Sequence, residues 1–141
     1  MIVLDTNVVS EALQSAPAPA VARFLKSYRS EDLFTTSITE AEMRTGAALL
    51  PTGRRRRLLE SELDRTFNDF GERLLAFGSA ASRQYAAVQA ARARAGRPIQ
   101  PLDAQIAAIA RAKAFSVATR NVRDFENCGV KVIDPWAFDG K

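Results

Sequence analysis

Five short runs of apolar residues, Ile2–Leu4, Leu33–Thr36 and residues 74–77, 116–119 and 130–133, read as strands, and the stretches between them carry apolar residues at helical spacing. Strands that alternate with helices cannot be joined by tight hairpins. They pair in parallel, and a parallel sheet needs helices on both faces to cover it. The expected fold is therefore α/β: one domain over residues 1–141, with a central five-stranded parallel sheet flanked by helices on both sides. In such sheets ligands bind beyond the carboxyl ends of the strands, where Asp5 and the segment from Thr119 to Asp124 fall.

The helices announce themselves by their punctuation. Asp5-Thr6-Asn7 supplies capping groups before Val8, Val9, Ala12 and Leu13. After Pro17-Ala18-Pro19 a second amphipathic segment carries Val21, Ala22, Phe24, Leu25 and Tyr28, and Ser37 opens a third helix that runs through residues 38–50 to the Pro51-Thr52-Gly53 stop. The next is expected from Arg54 to Phe70, with Leu58, Leu59, Leu63 and Phe67 as its buried stripe and Gly71 ending it. Residues 80–95, rich in alanine, and 102–114 complete the set, separated by Gly96-Arg97-Pro98.

Composition narrows the chemistry. The chain has 141 residues, no histidine and one cysteine, so imidazole catalysis, the usual zinc ligands and an internal disulfide are all excluded. Any catalysis must rest on carboxylates, hydroxyls, cations or a metal. The sequence shows neither a basic leader followed by a hydrophobic run nor an apolar stretch of membrane-spanning length, which leads to the expectation of a cytoplasmic protein with no membrane partner. A net charge of +4 favours polyanionic partners only weakly.

Against that basic background, acidic and amide side chains gather at element ends. Asp5 follows the first strand and is also a good helix cap. Glu40 fits a capping box with Ser37, while Glu42 fits one with Thr39, and the spacing leaves the register open. Glu42 lies on the apolar line of its helix, where a carboxylate needs a cation, and Gly46 one turn later offers close packing or room for a ligand. Asp103 follows Pro101-Leu102 and aligns with Ile106, Ala107 and Ala110; the alternative is a first-turn acid favoured by the helix dipole. Asn121 and Asp124, three apart after Thr119, can face one point, although Asn121 is also a plausible cap. Brought together, these groups would form a histidine-free oxygen cage for a hard divalent cation.

Two arginine groups, Arg54 to Arg57 and Arg92, Arg94 and Arg97, read either as solvated helix faces or as a nucleic-acid contact. Flanking cations would let a phosphate backbone approach an acidic pocket.

Leu4-Asp5-Thr6-Asn7, Ile38-Thr39-Glu40-Ala41-Glu42 with Gly46, Pro101-Leu102-Asp103 with Ile106-Ala107, and Val117-Ala118-Thr119-Arg120-Asn121 together resemble the PIN domain, in order and over essentially the whole chain. With Asp134-Pro135-Trp136 the ending is similar to that of the VapC and FitB branch of toxin–antitoxin ribonucleases. The resemblance implies a Mg2+-dependent endoribonuclease, with Mn2+ as a substitute. Asp5, Asp103 and Glu42 would be its metal ligands, and Asn121 and Asp124 would complete the catalytic set. Thr6, Thr119 and Arg120 would position substrate. The family's fourth acidic position falls on Asn121, whose amide brings no charge, and Asp124 one turn on is placed to compensate. The resemblance also implies an RNA substrate, a VapB- or FitA-like antitoxin, DNA reached only through that antitoxin, and a homodimer.

Two other readings share the expected fold. A receiver-like regulatory module needs a lysine beside its acidic pocket, and none of Lys26, Lys113, Lys131 and Lys141 obviously ends a strand there. A nucleic-acid-binding protein without cleavage is the other, and Asn121 speaks for it.

Overall fold

A computed structural model describes residues 1–140; Lys141, one of the four lysines weighed above, lies outside them. The strands are β1 (Ile2–Leu4), β2 (Leu33–Thr36), β3 (Leu74–Leu75), β4 (Ser116–Ala118) and β5 (Val132–Ile133). They form a five-stranded sheet in the order β3-β2-β1-β4-β5, and every neighbouring pair is parallel. The chain builds outward from β1 through β2 to β3, then crosses back to lay β4 on the other side of β1. The strand order therefore reverses between β1 and β4, with Val3 opposite Val117 and Leu4 opposite Ala118.

Three strands are shorter than expected, β4 by Thr119 alone and the two edge strands by two residues each. Beyond Leu75 the edge strand β3 has nothing to pair with, because its neighbour β2 ends at Thr36 where a helix begins. At the opposite edge β5 pairs with β4 only at Val132 and Ile133.

The helices are α1 (Thr6–Ala12), α2 (Pro19–Lys26), α3 (Ser37–Ala48), α4 (Arg54–Phe70), α5 (Ser79–Arg94) and α6 (Pro101–Lys113). Because side chains alternate across a strand, Ile2 and Leu4 pack with Val8, Val9, Val21 and Phe24 on one face of the sheet. Val3 and Val117 pack with Val88, Ala104, Ile106 and Ala107 on the other. A smaller cluster of Ala47, Leu63 and Phe67 joins α3 to α4. No helix among the described residues is long and apolar enough to cross a membrane.

Three details differ from the sequence reading. In α4 the buried stripe runs through Leu59, Leu63 and Phe67, which repeat every four residues; Leu58 sits about 100° away on the helix and is 58% exposed. Gly71 does end α4, at φ +53° and ψ −121°, a positive-φ conformation that favours glycine. At the end of α6 Ala114 instead takes up the left-handed helical conformation, at φ 58° and ψ 37°, where a Cβ carries a steric cost. The third is Arg92, grouped above with Arg94 and Arg97 as a basic surface. It is only 5% exposed and donates to the carbonyls of Arg97, Arg123 and Glu126, the latter two at 3.0 and 2.8 Å. Its guanidinium ties α5 to the loop after β4, because carbonyls turned inward there have no strand to pair with.

Candidate active site at the sheet switch point

The reversal of strand order between β1 and β4 opens a crevice at their carboxyl ends, where open α/β sheets bind ligands. Asp5 leaves β1 at this point, its N–H donating to Ala118 O at 2.9 Å, and its side chain is 4% exposed. Both carboxylate oxygens are engaged. The Thr6 N–H donates to Oδ1 at 2.8 Å, the Thr119 hydroxyl to Oδ2 at 2.8 Å, and the Asn7 amide to Oδ2 at 3.3 Å. Asp5 is thus both helix cap and buried carboxylate; the two roles coexist.

Thr119 is the hub on the β4 side. Its oxygen donates to Asp5 and accepts from the Asn121 N–H at 3.0 Å and from the Asn7 amide at 3.3 Å. Its one proton goes to Asp5, while its acceptor positions face the Asn121 N–H and the Asn7 amide.

Glu42 enters from α3 and is half-buried. The Thr6 hydroxyl donates to Glu42 Oε1 at 3.0 Å and lies 3.0 Å from the Thr39 hydroxyl. Thr6 has a single proton, and since that proton goes to Glu42, Thr39 must be the donor to Thr6. Neither capping-box register is used: Thr36 caps α3, accepting from the Thr39 N–H at 3.1 Å. Glu40 is instead paired with Arg44, which also reaches Asp64. Gly46 is exposed, with no atom within 4 Å of a Cβ built on it, so close packing does not account for it.

Asp103 sits half-buried in the first turn of α6. Asn121 precedes the 3-10 turn Val122–Phe125 and Asp124 lies within it, and both are exposed; Asn121 occupies the N-cap position, but its side chain makes no capping bond. Arg120 is exposed as well, and its guanidinium lies 5.0 Å from the centre of the Trp136 ring.

Electrostatics joins acids that are far apart in sequence. Burial raises the Asp5 carboxyl above its usual range; the bonds from Thr119, Thr6 and Asn7 oppose this, and the charge of Asp124 adds to it. Burial and then Asp5 raise Glu42, against the Thr6 bond. Asp103 is pushed up to about 6, first by burial and then by Asp5, Asp124 and Glu42, with Arg92 opposing. The charges of Asp5, Asp124 and Glu42 thus act together on Asp103, which places these acids within reach of one another's field.

Among the described residues no three Asp, Glu, His or Cys side chains already close into a metal cage. Like charges repel, which opposes their closing on one another. The donor set still fits a hard divalent cation: several carboxylate oxygens in excess, few neighbouring cations, and hydroxyls that hold two of the carboxylates in place.

Asn7 and Thr39 were not singled out from sequence as site residues, yet Asn7 bridges Asp5, Thr119 and the Arg120 N–H, and Thr39 supports Thr6. Asn7 was legible as a helix-start residue and as part of the Leu4–Asn7 motif, and Thr39 as a capping-box candidate with Glu42; neither signal gave the role seen here.

A doubly covered parallel sheet with carboxylates grouped at its switch point is the architecture of a PIN domain, and the PIN domain family model matches residues 2–130. The chain belongs to that family. It is 40% identical over 137 residues to the VapC ribonuclease Y4jK of Sinorhizobium fredii, a match covering 96% of this chain and 98% of that one. It is 36% identical over 137 residues to the toxin FitB of Neisseria gonorrhoeae, covering 96% and 99%. A solved structure of FitAB bound to an IR36 DNA fragment superposes with a TM-score of 0.91 at 36% identity, over 99% of this chain and 98% of that chain.

Proposed function

We propose that the chain is a metal-dependent endoribonuclease, the toxin of a toxin–antitoxin pair, with Mg2+ as its ion and Mn2+ as a substitute. The shared field of Asp5, Glu42 and Asp103 at the switch point supports this reading most directly. The likeness to proteins named as a ribonuclease and as a toxin supports the substrate class.

When bound, a divalent cation supplies positive charge beside the scissile phosphate and acidifies a water. Asp5, Asp103 and Glu42 would hold that cation, and Glu42 would also orient the attacking water. Thr119, Thr6 and Asn7 fix the carboxylates and need not touch RNA. Asp124 and the Asn121 amide form the rim, and Arg120 attracts the phosphate backbone toward an otherwise repulsive pocket. A small VapB- or FitA-like antitoxin covers this groove and carries any contact with DNA. The protein acts as a homodimer in the cytoplasm, where its RNA substrates are.

The test is incubation of protein freed of copurified partner with RNA in Mg2+, Mn2+ or EDTA, beside Asp5→Asn. Cleavage that needs the metal and is lost in the variant is the expected result. RNA binding without cleavage under every metal condition would instead establish a non-catalytic binding module.

A further inference from the structure

Beside the carboxylates lies an open cleft of about 460 Å3, lined on one side by Asn7, Ser10, Glu11 and Gln14 and on the other by Arg120 and Trp136. That volume is within the range of roughly 300–1,000 Å3 typical of small-ligand sites. The first four residues fall at helical spacing and so share a face at and just beyond α1. The opposite wall is preset. The Trp136 N–H donates to Asp134 Oδ1 at 2.9 Å, fixing the turn that carries the indole, and the indole holds the Arg120 guanidinium 5.0 Å from its ring centre. The Arg120 N–H donates to Asn7 Oδ1 at 3.2 Å, and the Asn7 amide reaches Asp5 at 3.3 Å. One side chain therefore links the cleft to the carboxylate at the switch point.

The lining selects a kind of ligand. A guanidinium is a flat plate; with one face on the indole, its other face can take a flat ring, as arginine does with unstacked bases of single-stranded RNA. Glu11 engages in no ion pair among the described residues, so its charge is not neutralised and opposes a phosphate in the cleft itself. A carboxylate accepts best from two adjacent N–H groups. Guanine offers N1–H and the 2-amino group side by side. Uracil flanks its single N–H with carbonyls, adenine places a ring acceptor beside its amino group, and cytosine does the same.

Resting on the ribonuclease reading, we propose that this cleft binds a guanine base of the RNA strand next to the scissile phosphate. The base stacks on Arg120, which is backed by Trp136, and Glu11 reads its Watson–Crick edge.

Trp136 is the chain's one tryptophan, so tryptophan emission, excited to the red of the tyrosine band, reports on this cleft. GMP, AMP, CMP, UMP and inorganic phosphate are titrated separately into the full chain in EDTA. GMP is expected to quench or shift the emission with a Kd roughly ten-fold or more below those of the other nucleotides. Glu11→Gln should erase most of that preference, and Arg120→Ala should weaken all four nucleotides. Equal responses to the four nucleotides, a response to phosphate alone, or none at millimolar GMP would each overturn the proposal. Metal-dependent RNA cleavage assayed on the same preparation keeps the two readings apart. Cleavage without guanine preference sinks only the base site, whereas guanine preference without cleavage sinks the ribonuclease and leaves the base site standing.

Discussion

Replacing Asp103 by asparagine should stabilise the metal-free protein, and the gain should depend on pH in a definite way. The Asp103 carboxyl is raised from 3.8 to about 6 by burial and by the charges of Asp5, Asp124 and Glu42. Below pH 4 it is protonated in both folded and unfolded chains, and the variant should match the wild type. As pH rises from about 4 to 6 the unfolded chain releases this proton and the folded one retains it, so wild-type stability falls; above 6 the loss is complete. Each pH unit between the two values is worth about 1.4 kcal/mol, which gives about 3 kcal/mol in full. Asp103 is only half-buried, and solvent screening reduces this to about 1–2 kcal/mol. The asparagine side chain carries no charge and keeps the shape, so Asp103→Asn should gain that amount at pH 7.5, a rise of roughly 3–8 °C in Tm. The assay is urea unfolding in EDTA at half-unit steps from pH 4 to 8, repeated with Mg2+. Added Mg2+ should stabilise the wild type more than the variant. A variant destabilised equally at every pH would refute the shared-field reasoning, because Asp103 would then be a structural acid held by partners of its own.

Three further outcomes follow from the packing. Arg92→Met should cost about 2–4 kcal/mol, since it strands the inward carbonyls of Arg97, Arg123 and Glu126; in chemical denaturation this loss should appear while RNA affinity of the folded protein changes little. Ala114→Gly should raise stability by about 0.5–1 kcal/mol by relieving the left-handed backbone at φ 58°, and a lower melting temperature would count against that strain. Leu63→Ala should cost about 2–4 kcal/mol because Leu63 is buried against Phe67 and Ala47, whereas Leu58→Ala should stay within about 0.5 kcal/mol; equal losses in parallel thermal melts would contradict the observed helix face.

Much of this molecule could be read from local pattern. Strand and helix positions, the stops at Gly53, Gly71 and Gly96, and the placement of Asp5 and Thr119 at strand ends each depend on a handful of neighbouring residues, and capping and periodicity are written at that range. Asp103 and Glu42 were legible as acids on apolar helix lines for the same reason.

Other features depended on residues far apart in the chain. Sequence could not say that β1 lies at the centre with β4 beside it, and that single crossover is what turns Asp5 and Thr119 toward each other. Nor could it separate the buried Arg92 from the exposed Arg94, which are two residues apart in an alanine-rich helix, or find Thr39 behind Thr6. Helical and strand periods record which residues of one element share a face, but not which element that face will meet. Packing across the sheet and the sharing of a few protons among Thr6, Thr39, Thr119 and the carboxylates are settled only when distant segments compete for the same space and the same hydrogen bonds.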